Sequence, residues 1–194
     1  MRLTLGKMGW GVVGTLFLIS PLLAATSKEG AAIANAPAYN WAYAEEASGL
    51  LEQIRSLSTQ AAEKTHLLDF ASQRNQLHWR SHALELHQIS QHINAMGEKL
   101  DRLQEIHGLI APWQQKAVER VTPNAVALAV HTEEAVAYVK EHQGRLWAPS
   151  YTERVSAMSE HAEEIRNSVS AFLDYAKTSD RLKGLERQIE WTGA

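Results

Sequence analysis

From residue 47 onward, apolar residues return every three or four positions and polar residues fill the gaps. Ala47, Leu50, Ile54, Leu57, Ala61 and Leu68 form a first stripe, and Trp79, Leu86, Ile89, Ile93, Met96, Leu100 and Leu103 a second. Ala117, Val121, Leu128, Ala135 and Val139 form a third, and Val155, Met158, Ala162, Ile165, Val169, Phe172 and Ala176 a fourth. This spacing puts each set on one face of an α-helix, and its 3–4 alternation is that of helices packed at shallow crossing angles. No segment alternates apolar and polar residues with β-branched enrichment, so no strand is predicted.

Proline and glycine divide the stripes. In "HGLIAPW" Gly108 ends one helix and Pro112 opens the next; "QGRLWAPSY" repeats the arrangement with Gly144 and Pro149. The first boundary is weaker: in "DFASQRNQ" only Asp69, Ser72 and Asn75 are turn or cap candidates. The predicted helices cover 40–70, 75–107, 112–143 and 150–178, each of about 30 residues and about 45 Å. Equal lengths and short connections predict an all-α fold, an antiparallel up-down-up-down four-helix bundle over residues 40–179. Two details modify it. Thr122-Pro123 lies inside the third helix and predicts a kink, or a break recapped by Thr122. Residues 180–194 form a tail or an extension of the fourth helix, carrying Leu182, Leu185 and Ile189 and weakened by Gly184.

The first 25 residues read as a signal peptide. Arg2 and Lys7 precede the uncharged run "MGWGVVGTLFLI", and "LLAATS" supplies small residues for cleavage after Ala25. The run is shorter than the roughly 20 residues of a membrane span; an uncleaved membrane anchor is the alternative. Residues 26–39 form a flexible lead-in. The expected location is the periplasm or the cell exterior, with no stable membrane span after cleavage.

Charge and composition narrow the partners. The 194-residue chain has a formal net charge of −3 with interspersed signs and no basic stripe, so no nucleic-acid partner is expected. It contains no Cys, which removes disulfides, thiolate metal sites, iron–sulfur clusters and covalent heme attachment. There is no GxSxG and no glycine-rich phosphate loop, so no enzyme activity is expected. The single Glu-x-x-His, Glu63 to His66, is half of what a di-iron carboxylate site requires.

Histidines are the remaining candidate chemistry. "QLHWRSHALELHQISQHINAMG" holds His78, His82, His87 and His92. At about 100° per residue, His82 points into the core, His78 flanks it, His92 lies at its edge and His87 faces solvent. His78 and His82, four residues apart, can share a divalent metal, with His142, His66 or Glu63 completing the set. The competing reading is a core-edge His82 hydrogen-bonded across helices. Up-down topology groups His66, His78, His82 and His142 with Trp79, Trp147 and Tyr151 at one end. It puts His87, His131 and His161 in a middle layer, and Trp41, Trp113 and His107, with Trp191 a further candidate, at the other end. No resident cofactor is expected otherwise. The function expected is that of an exported helical protein acting through protein–protein or envelope contacts with an unknown protein partner, homo-oligomers included. The alternative is a periplasmic divalent-metal-binding bundle using His78 and His82.

Overall fold

The computed structural model describes residues 41–74 and 78–192. The signal peptide or anchor, its cleavage site, the lead-in and the turn candidate Asn75 lie outside the described residues. Four α-helices follow one another: α1 (Trp41–Gln73), α2 (Trp79–Glu105), α3 (Pro112–Glu141) and α4 (Pro149–Thr192), with a short 3-10 turn at His107–Leu109. No strand is found among the described residues. α1 and α3 each pack against both α2 and α4, whereas α1 and α3 touch each other little.

Each helix buries one seam of 3–4 spacing. In α2 it is His82, Leu86, Ile89, Ile93, Met96, Leu100 and Leu103. In α4 it includes Tyr151, Val155, Met158, Ala162, Ile165, Val169 and Leu173. The α1 seam is Ala44, Ala47, Leu51, Ile54, Ser58, Ala61, Thr65, Leu68 and Ser72; Ala47, Ile54, Ala61 and Leu68 are those of the predicted stripe, and Leu51 and Ser58 take the places of Leu50 and Leu57. Leu50 and Leu57 are only partly buried. The reason is local. The hydroxyls of Ser58, Thr65 and Ser72 donate to the carbonyls of Arg55, Ala62 and Asp69, three residues back, at 3.0, 3.0 and 2.8 Å. A hydroxyl satisfied by its own helix can be buried at little cost.

The connections follow from the prolines. Ala111 is extended (φ −64°, ψ 149°), as the residue before a proline is constrained to be, and Pro112 opens α3 without forfeiting a bonded amide. Pro149 opens α4 in the same way. Gly108 and Gly144, expected to stop helices, do not adopt the left-handed backbone conformation; α2 instead ends with the Ile106 amide donating to the Arg102 carbonyl at 3.3 Å.

Two places where the sequence left continuity open are resolved. α3 runs unbroken through Pro123. Thr122 does not cap a new helix; its hydroxyl donates back to the Val118 carbonyl at 2.8 Å. Val121, Ala125 and Leu128 remain buried on either side, so packing outweighs the missing amide. Pro123 itself is exposed. Pro123→Ala is therefore expected to raise stability by about 1–3 kcal/mol, read as a higher urea midpoint at unchanged m-value. The second is α4, which passes through Gly184 and reaches 44 residues, the extension that the sequence allowed as one of two outcomes. Among the described residues no helix is long and apolar enough to cross a membrane.

Candidate functional site

His82 lies in the first turn of α2 and is 1% exposed. Its Nδ1 is hydrogen-bonded to the hydroxyl of Tyr151, in the first turn of α4, at 2.9 Å. The two rings meet edge to face, with centroids 5.5 Å apart. Tyr138 stacks on Tyr151 at 5.5 Å and on His142 at 4.4 Å, so an aromatic column reaches from the core to the α3–α4 connection. Burial lowers the basicity of His82 and raises the Tyr151 pKa, which keeps both groups neutral near pH 7.

His78 precedes the helix and is exposed. Its backbone is extended, and its Nδ1 accepts the Arg80 amide at 3.3 Å as the N-cap of α2. In each member of the proposed metal pair, Nδ1 is thus already engaged. Among the described residues no group of three or more His, Cys, Asp or Glu converges in a way that could hold a metal ion.

The other histidines distribute as follows. His131 and His161 stack at 5.6 Å, so these two of the expected middle layer do meet. His161 Nδ1 is 3.0 Å from the Asn124 side-chain oxygen. His87 is exposed and pairs with Gln91 on its own helix at 3.2 Å. His66 lies against α4, between Glu163 (Nε2–Oε1 2.7 Å) and Ser159 (Nδ1–Oγ 3.0 Å). A hydroxyl, an imidazole and a carboxylate in line resemble the elements of nucleophilic catalysis. However, Ser159 is 5% exposed, so its oxygen is out of a substrate's reach.

At the other end of α1 the side chains enclose space. A cleft of about 740 Å³ is lined by Trp41, Trp113 and Tyr175 together with Glu45, Asp180 and Lys183. A second cleft shares Pro112, Trp113 and Tyr175 with it and adds Lys116 and Phe172. The floor is fixed by Gln114, buried at the start of α3. Its Nε2 donates to the Ala44 carbonyl at 2.7 Å and to the Ser48 hydroxyl at 2.9 Å, and its Oε1 accepts the Ala111 amide at 2.8 Å. Nearby, the Arg102 guanidinium donates to both oxygens of Glu46 at 2.6 and 3.2 Å and to Glu105 at 2.9 Å. The Arg102 hydrogen bonds hold the Glu46 carboxyl below its ordinary value.

The periodicity signalled that Trp41 and Trp113 belong to one end. It did not signal the contribution of Tyr175, because that residue lies on the outward side of the α4 stripe. No family model, curated protein or solved structure matches the chain.

Proposed function

We propose that this chain is an exported up-down-up-down four-helix bundle that acts through contacts of its surface with a protein partner in the cell envelope or outside the cell. Antiparallel neighbours are supported by the pairs between helices, which run in opposite residue order. Glu46 pairs with Arg102 and Lys64 with Glu85; Asn124 with His161 and Glu134 with Arg154; Glu52 with Lys177 and His66 with Glu163. Export is supported by the charged, then apolar, then small-residue order of the first 25 residues.

The observation that carries the surface reading is the aromatic cleft beside the outer half of α4. Trp41 and Tyr175 there are largely exposed, and Leu182 and Leu185 on the same helix are 56% and 47% exposed. Large apolar side chains gathered at one end of a surface mark a contact site more often than scattered ones do.

Photo-crosslinking in the native cell tests this reading. A benzophenone side chain replacing Lys116 or Tyr175 is expected to give one discrete protein adduct. The same group at the exposed His87 is expected to give none. Adducts of equal yield from all three positions, or none from any, would overturn the proposal.

A further inference from the structure

We propose that the outer half of α4 pairs with the same segment of a second copy of this chain, parallel and in register. The proposal rests on the surface-acting reading and names one partner for it. By the spacing of the α3–α4 pairs, Pro112 is level with about Leu173, so roughly the last five turns of α4 run on past α3. There the apolar stripe changes sides. Taking Leu173 as 0°, the core residues Val155, Met158, Ala162, Ile165 and Val169 all fall within about 80° of it, at about 100° per residue. Leu182, Leu185 and Ile189 fall at about 120–180°, facing away from the chain's own core. Asp180, Lys183 and Arg187 take the core-facing side. A stripe turned by half a revolution does not serve the bundle that carries it.

The stripe has coiled-coil spacing, with Leu182 and Ile189 at a and Leu185 at d. This register puts Arg181 at g and Glu186 at the following e. In a parallel pair, a g residue meets the e residue five positions further along the partner. Each Arg181 therefore faces Glu186 of the second copy, twice by symmetry. Antiparallel pairing lacks this complementarity. The alignment that matches Leu185 with Ile189 brings Glu186 against Glu186. The alignment that matches Leu182 with Leu185 brings Arg181 against Gln188. Charge at e and g sets orientation in such pairs, so the parallel arrangement is favoured. Two heptads bury a small area, so the dimer is expected to be weak and reversible.

The natural absence of cysteine supplies the test. In the full chain, Leu185→Cys is expected to oxidise to a disulfide-linked dimer, because d faces d in a parallel pair. Lys183→Cys, outside the stripe, is expected to stay monomeric on oxidation. In the cysteine-free chain, sedimentation equilibrium is expected to show a monomer–dimer equilibrium. Arg181→Glu or Glu186→Arg should weaken it about tenfold, and the double reversal should restore it to within about threefold. A disulfide formed only when Leu182→Cys and Leu185→Cys chains are mixed would overturn the parallel register. A dimer indifferent to the charge reversals would overturn it as well. A chain that stays monomeric at several hundred micromolar, while the Lys116 and Tyr175 adducts persist, would overturn self-pairing and leave the surface reading standing.

Discussion

Replacing Tyr151 with alanine is expected to lower the unfolding free energy by about 4 kcal/mol, the range for removing a large buried aromatic. Tyr151 is fully buried, beneath Tyr138 and against His82. Tyr151→Phe separates packing from polarity. It keeps the ring and removes the hydroxyl, leaving His82 Nδ1 buried without its partner, and is expected to cost about 1–3 kcal/mol. The same pair sets a pH dependence. Burial holds His82 below its ordinary value of 6.5, and burial together with Lys64 does the same for His92. The unfolded chain therefore binds more protons than the folded one just below pH 6.5, and folding opposes that uptake. The contribution is fully present above about pH 6.5 and is lost as pH falls through the folded-state values. Urea titrations at pH 7.5 and pH 5.5 are expected to show a smaller acid loss in His82→Leu than in the parent. An unchanged loss would place the acid sensitivity elsewhere.

The second large effect is expected at Gln114. Gln114→Met keeps most of the volume but leaves the buried Ala111 amide without the Oε1 acceptor, at a cost of about 2 kcal/mol. Gln114→Ala adds a cavity, and about 3 kcal/mol is expected in total. The two sites share no residue or hydrogen-bond partner, so Gln114→Met and Tyr151→Phe should add within about 0.5 kcal/mol. Denaturant unfolding of the singles and the double checks this. A strong departure from additivity would mean that the two sites are coupled.

These two contacts have a common geometry. α1 with α3, and α2 with α4, are the pairs that pack least against each other. Gln114 bridges the first pair and His82–Tyr151 the second. Apolar seams tolerate sliding by a heptad, whereas a buried polar group displaced from its partner is left unsatisfied. Polar residues at seam positions fix register for this reason.

Much of the fold was legible in the sequence because burial follows periodicity. The α2 stripe matches the buried seam almost residue for residue, and every residue of the α3 stripe is buried, although Gln114, Val118, Ala125 and Thr132 join it unannounced. In α1 the stripe matches at Ala47, Ile54, Ala61 and Leu68 and departs at Leu50 and Leu57, where Leu51 and Ser58 are the buried neighbours. The hydrogen bond that permits the Ser58 hydroxyl inside is invisible until the helix exists. His82 was legible as an inward residue, and Tyr151 as a neighbour at its end. Their hydrogen bond was not, since it depends on the rotation of two helices about their own axes. The capping role of His78 was not legible, since it depends on the helix starting at Trp79. Of the aromatic cleft, Trp41 and Trp113 were legible as sharing one end, whereas Tyr175 was not, because it lies on the outward side of the α4 stripe.

The small-residue seam of α1 has a thermodynamic consequence. Five of its eleven buried residues are alanines, and three more are serines or a threonine. Alanine loses no rotamer freedom when it is buried, whereas the leucines, isoleucines and methionine of α2 lose it at each position. The entropic penalty of ordering the core side chains therefore falls unevenly, lightly on α1 and more heavily on α2. An added methylene in the α1 seam therefore overpacks it, whereas one removed from α2 opens a void.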